Sequence, residues 1–285
     1  MSGSVLYDAP GPRARRLEMW GSVVFGLVIL ALGAWLVSSL SARGIFDDRW
    51  AVYTDPPKSQ SAGDVWSSLL VTGLGATLGA AVVAAPLAMV LALTLAVLRT
   101  SGIALVRRTS VAVIELLRGM PVLLMMFFGL LGFGLSSFQA VVFGLALYNA
   151  AIVAEILRAG LNAVPRGQAE AGTALGLTRW QTLRMIQLPQ VVRLMLPSLI
   201  SQFVVLLKDS SLGFIVGYPE LLSVMKTNYS FFGNDSRLPL FVAVAIIYLA
   251  VNLTLTRVAV FVEKRLSSHG QKAEAALPAS AEATV

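Results

Sequence analysis

Lys208 and Asp209 stand side by side in a run that is otherwise free of charge after Arg193, Leu194 to Phe214. Charge inside an apolar span is costly, so each is a candidate for work within a membrane. Neighbouring helical residues point about 100° apart, so the two should not pair with each other, and each needs a partner elsewhere. Two readings stand for them. They form structural ion pairs between helices or subunits, or Lys208 faces a cavity and helps hold an acidic substrate, since a carboxylate in low dielectric wants a cation or a helix N-terminus. Glu115 and Arg118 are three apart and share a helix face, as do Glu155 and Arg158. Each couple reads either as an intrahelical ion pair near the membrane interface or as a contact along a pathway. Asn149 and Gln202, polar residues in apolar runs, fit helix–helix hydrogen bonding and substrate contact equally well.

Several chemistries are excluded. The chain has no cysteine, so it has no disulfide, thiolate metal site or cysteine nucleophile. Its one histidine, His269, lies in a polar tail, and no metal site is expected. Neither HExxH nor GxSxG occurs, which argues against a membrane-embedded hydrolase. No GxxxxGK[ST] phosphate loop occurs either, so the chain does not hydrolyse ATP through such a loop, and any ATP-driven work needs a separate ATPase. No cofactor is expected on the chain itself.

The elements that must position these residues are membrane helices. Of 285 residues, 56% are hydrophobic and 13% charged, with a mean hydropathy of +0.77. A soluble domain carries about twice that share of charge. Trp20–Leu40, Val65–Leu98 and Gly119–Ala154 are uncharged runs of 21, 34 and 36 residues. The last would make a helix about 54 Å long, too long for a hydrocarbon core of about 30 Å. It should fold back where Gly132, Gly134, Ser136 and Ser137 cluster. The spans expected are therefore Trp20–Leu40, a helix within Val65–Leu98 with a kink at Pro86, Thr109–Leu135, Phe138–Leu157, Leu194–Phe214 and Leu238–Thr256. Gly75-x-x-x-Gly79 suggests close helix packing. With the N-terminus inside, the inner segments hold 14 basic residues and the outer ones 5. That bias places both termini in the cytoplasm of a multi-pass cell-membrane protein. The net charge of +7 then reflects loops beside anionic lipid rather than nucleic acid. The segment 267–285 has no apolar period and reads as a disordered cytoplasmic tail.

Between the fourth and fifth spans lies a long polar loop, Leu161–Gln187. Pro165 can open a helix there. Ala169, Ala171, Ala174, Leu175, Leu177 and Trp180 then make an apolar stripe at three- and four-residue steps. An amphipathic helix lying on the bilayer fits this pattern, and so does one docked into a protein groove. Gly172 and Gly176 leave the helix surface bare at one-turn spacing, where a partner could approach closely.

At this point the spacing becomes specific. Glu170-Ala171-Gly172, three residues, Gly176, nine residues, then Ile186-x-Leu188-Pro189 resembles the EAA loop of ABC importer permeases. Gly172 replaces the usual third alanine. Glu115-Leu116-Leu117-Arg118-Gly119-Met120-Pro121 resembles the ELxRGxP segment of the polar amino acid branch. Ala154-Glu155-Ile156-Leu157-Arg158-Ala159-Gly160 with Val164-Pro165-Arg166-Gly167-Gln168, and Leu207-Lys208-Asp209-Ser210-Ser211-Leu212, resemble two further runs of that branch. The opening Val5 to Arg13 and the extra first span resemble the glutamate importers of actinobacteria.

The resemblance implies an all-α type I ABC transmembrane domain over 65–266. Residues 1–64 would add an N-terminal helix and an extracytoplasmic loop. It implies a permease subunit, not an enzyme, that imports a polar amino acid, glutamate in particular. It implies cytoplasmic ATP-binding cassette subunits that consume the ATP, a second homologous permease subunit and an extracytoplasmic solute-binding protein. The loops Arg43–Asp64 and Gly217–Arg237 would meet the binding protein. Glu170, Ala171, Gly172, Gly176, Ile186, Leu188 and Pro189 would couple to the ATPase. Lys208, Asp209, Asn149, Gln202, Glu115 and Arg118 are the pathway candidates. The rival reading is a stand-alone secondary transporter, which calls for internal repeats and broken helices in both halves; no convincing repeat is present.

Overall fold

Prolines, glycines and small residues decide where the long apolar stretches start, bend and stop. The computed structural model describes residues 11–42, 44, 48–58 and 60–274, and every regular element among them is helical. Helix α1 is Pro12–Ala42. Helix α2, Ala62–Arg99, opens on a capping box of Ser61 and Asp64 and carries a π-type turn at Ser68–Gly73. Helices α3, Ala104–Gly119, and α4, Val122–Gly132, meet at a 103° bend. Helix α5 is Ser137–Ala163, α6 is Arg166–Ala174 and α7 is Arg179–Phe214. Helix α8, Leu221–Phe232, and α9, Arg237–Glu274, complete the chain. Five helices are long and apolar enough to cross a membrane alone, and the bent pair α3–α4 is the sixth candidate.

The core is α2 against α5, with α7 behind. Ala80, Ala84, Ala88, Ala92 and Ala96 form a buried stripe at four-residue steps along α2. Small side chains let backbones approach, which is how helices gain contact where lipid supplies no hydrophobic drive. Gly75 and Gly79 lie off that stripe and meet no neighbour, so the expected close packing uses the alanines instead.

Contacts at the two ends fix the directions. At one end Arg99, last residue of α2, meets Glu155 of α5 at 2.8 Å. At the other, the Tyr218 hydroxyl donates to the Ala76 carbonyl of α2 at 2.9 Å, and its ring lies 5.7 Å from that of Phe138 in α5. Helices α2 and α5 therefore run parallel. The chain between them must return across the membrane, and α4 does so antiparallel to α5, with Met126 against Gly144 and Gly129 against Ala140. The straight span expected over Thr109–Leu135 does not form. Pro121 forces Met120 into an extended conformation (φ −90°, ψ 133°), and the helix breaks there. Helix α3 is left crosswise over the end of α2 and α5. The predicted reversal at Gly132–Ser137 is present, with Gly134 at φ +64° and a Ser136–Gln139 capping box opening α5.

Three other expectations are revised. The fifth span does not start at Leu194: α7 runs unbroken from Arg179 through Pro189 and Pro197. A π-type turn at Leu183–Gln187 lies just before Pro189, whose ring would crowd an ordinary turn. The segment Gly217–Arg237 is not a free outer loop. Leu221 and Val224 of α8 are buried with Val65, Leu69 and Leu240. Helix α9 continues to Glu274, so the first eight residues of the expected tail, 267–274, are helical, because Gln271, Lys272, Ala273 and Glu274 propagate an established helix readily. The tail beyond 274 and the motif residues Val5–Pro10 lie outside the described residues. Helix α1 has none of its apolar stretch buried by the rest of the chain.

Candidate functional site

The EAA-like segment is a helical hairpin at the end that carries Arg99. Pro165 precedes the first turn of α6, where its missing N–H costs nothing. The helix stops in a Schellman arrangement: Leu177 N–H donates to the Gly172 carbonyl at 3.1 Å, and Gly176 N–H to Thr173 at 3.0 Å. Gly176 has φ +79°, the left-handed conformation this cap requires. Space around it is open, as expected. Gly172 is different. It is buried, and an added Cβ would lie 2.7 Å from Thr182 Cγ2 and Oγ1 and 3.2 Å from Ile186 Cδ1. The bare surface at Gly172 is thus filled by the chain's own α7. Thr182 was not singled out by sequence, since its role depends on a contact across the hairpin.

Gln190 of α7 donates to Gln168 of α6 at 3.2 Å and to the Ile186 carbonyl at 3.0 Å, a second tie that sequence reasoning missed. Leu188 and Pro189 lie within the continuous α7. Glu170 and Ala171 face outward from α6, with Leu175 and Trp180 strongly exposed beside them. A groove of about 860 Å³ separates this hairpin from the α2–α3 turn, lined among others by Leu98, Ser101, Glu170, Arg179 and Trp180. No ion pair among the described residues engages Glu170 or Arg179.

Two turns above the hairpin is a charge cluster. Glu155 accepts from Arg99 at 2.8 Å and from Arg158 at 2.5 Å, and Arg118 stands 3.8 Å away. Glu115 lies 3.7 Å from Arg118. The two i,i+3 couples are therefore one cluster that binds α2, α3 and α5. The Glu115–Arg118 face is engaged within the chain.

The remaining pathway candidates divide. Asn149 is buried, donates to the Leu145 carbonyl and accepts from Gln202, both at 2.8 Å, so this pair joins α5 to α7. Lys208 is exposed and makes no polar side-chain contact among the described residues. Ser198, Ser201 and Val205 are exposed on the same side of α7, at three- and four-residue steps. Asp209 is half-buried and points away from that stripe. A further buried carboxylate, Glu220, caps α8 through Ser223 N–H at 2.9 Å and accepts from Tyr248 of α9 at 2.6 Å. It sits in the segment expected to be an outer loop, so nothing in the sequence pattern marked it as buried.

Residues 88–268, which include the hairpin and the charge cluster, match the family of binding-protein-dependent transport system inner membrane components. The chain belongs to that family. The permease is 38% identical over 236 residues to the glutamate transport system permease protein GluD of Corynebacterium glutamicum, covering 80% of this chain and 83% of that one. It is 32% identical over 175 residues to the glutamine transport system permease protein GlnP of Escherichia coli K12, covering 59% and 79%. A solved amino acid ABC transporter crystallised with histidines superimposes with a TM-score of 0.63 at 31% identity, covering 70% of this permease and 95% of that chain. The inward-facing methionine transporter MetNI, at 21% identity and a TM-score of 0.60, shares the fold. The protein is an amino acid ABC transporter permease of type I fold, a multi-pass membrane component.

Proposed function

We infer that this permease imports an acidic amino acid, glutamate, with ATP hydrolysed by separate cytoplasmic subunits. The observation that carries the substrate reading is Lys208, a cation without a counterion among the described residues, on an exposed polar stripe of a membrane span. A stripe with Ser198, Ser201 and Lys208 is ill suited to lipid and well suited to a water-filled cavity shared with a second permease subunit. Lys208 there would neutralise a substrate side-chain carboxylate, and the serines would hydrogen-bond it. The name of the Corynebacterium relative agrees with this reading, and the glutamine relatives mark the nearest alternative.

The hairpin supplies the coupling surface. Leu175 and Trp180 leave apolar area uncovered beside Glu170, as a helix docked into a groove requires. Gly172, Thr182 and the Gln168–Gln190 bond make α6 move with α7, so displacement of α6 by the ATPase would be transmitted to the helix that carries Lys208. Both termini and the hairpin would lie in the cytoplasm. A solute-binding protein would deliver substrate at the opposite end.

The test is uptake of labelled glutamate, glutamine and arginine in cells lacking the gene, with the wild type or a variant restored. Wild type should restore glutamate uptake selectively. Lys208→Ala should raise the glutamate uptake constant about tenfold or more, the loss of one charge-assisted contact. Restoration of glutamine uptake alone discards the acidic substrate but keeps the permease. Glu170→Arg should reach the membrane and lose uptake, and normal uptake by that variant would remove the coupling role.

A further inference from the structure

Helix α3 carries a basic face that lies outside the Lys208 stripe and the coupling hairpin. It lies crosswise at the level of Glu155, eight residues before the end of α5, or about 12 Å back from the hairpin along the helix axis. Its buried side is Ser110 and Ile114. On another side a cavity of about 360 Å³ is lined by Arg99, Arg107, Arg108, Val111 and Ala112. Three of those five residues are arginines, and none is acidic. Arg99 is engaged by Glu155; among the described residues Arg107 donates only to the Ser101 carbonyl at 3.3 Å, and Arg108 has no polar side-chain partner. Near the start of α3, Leu105 is 72% exposed and Ile103 65%.

We propose that the Arg99–Arg107–Arg108 cavity is a binding site for the phosphate of an anionic phospholipid. Guanidinium groups match phosphate oxygens in geometry and charge. On the proposed orientation, on which this inference rests, this end is cytoplasmic, and a basic cavity between helices at that level is where such headgroups bind. Val111 and Ala112, the other two lining residues, are apolar, which suits the methylenes beside a lipid phosphate. A bound phosphate would bridge the end of α2 to the N-terminal half of α3.

The test uses the intact permease–ATPase complex in non-ionic detergent, titrated with phosphatidylglycerol and read by native mass spectrometry. R107Q/R108Q should weaken phosphatidylglycerol binding about 30-fold and leave phosphatidylcholine binding unchanged. R107K/R108K keeps the charge but not the guanidinium geometry and should recover only part of the affinity. Arg108→Gln alone, at an exposed position without a described partner, serves should the double variant misfold, and it should weaken binding several-fold. Inorganic phosphate at millimolar concentration separates the two sources of the anion. If it leaves phosphatidylglycerol in place, the ligand is lipid; if it displaces it with the same arginine dependence, the site takes free phosphate. Equal phosphatidylglycerol affinity in wild type and R107Q/R108Q overturns the proposal. So does loss of the ATPase subunits from that variant with lipid binding intact, which would assign the arginines to a protein interface.

Discussion

At position 172 an added methyl group has no room, because Thr182 stands 2.7 Å from where it would lie. Threonine is branched at Cβ and cannot swing both γ atoms away. Gly172→Ala gains about 1 kcal/mol of helix propensity and loses about 1–3 kcal/mol to overpacking. The variant should therefore unfold a few degrees lower in a thermal melt of the purified complex, with reduced coupled uptake. Thr182 Oγ1 is buried with no hydrogen-bond partner among the described residues. Thr182→Ala in the Gly172→Ala background removes both the clash and this orphan, so the double variant should melt at or above the wild type. A double variant as unstable as Gly172→Ala would show that the two positions do not share space. Gly176 was legible in the sequence, because a glycine past the last helical residue is a local signal. The constraint on Gly172 was not, because it is set by a residue ten positions away across a reversal of the chain.

Among the elements, α2, α3 and α5 meet at Glu155, whose carboxylate is the shared partner of Arg99, Arg158 and, at longer range, Arg118. Glu155→Gln leaves these cations facing one another. Allowing for the partial exposure of the cluster, this should cost about 1–3 kcal/mol. Arg118→Gln removes contacts of only 3.7 and 3.8 Å and should cost below about 1 kcal/mol. Thermal midpoints of the two variants should rank accordingly, and a reversed order would mean that Arg118 holds the bend rather than Glu155. Sequence spacing found both i,i+3 couples but not their union. In the sequence Arg99 is only a basic residue at the end of an uncharged run, and no local pattern says that α3 folds back over α5. Uncharged length gave most of the spans. It failed over 104–132, where Pro121 and the residue before it, not hydropathy, set the geometry.

The whole molecule poses a parity question, which the parallel arrangement of α2 and α5 answers. Arg99 with Glu155 marks one end of both helices, and Tyr218 with Ala76 and Phe138 marks the other. A parallel pair joined by one segment needs a crossing in between, so α3–α4 counts as a traversal despite its 103° bend. The ends can be told apart by labelling, because a chain with no cysteine gives no background. Gly102 and Gly167 each have open space around an added side chain, and both lie at the end rich in arginine. Ser137 begins α5 at the other end. In whole cells a membrane-impermeant maleimide should label S137C, while G102C and G167C should react only after the membrane is opened. The positive-inside bias sets this sign, since loop arginines resist translocation. Labelling of all three from one side would mean that α3–α4 re-enters without crossing, and the parallel packing of α2 and α5 would then have to be abandoned. The mirror pattern, with G102C and G167C reactive from outside, would keep the fold and invert it, and it would place Glu170 and Trp180 where no ATPase could reach them.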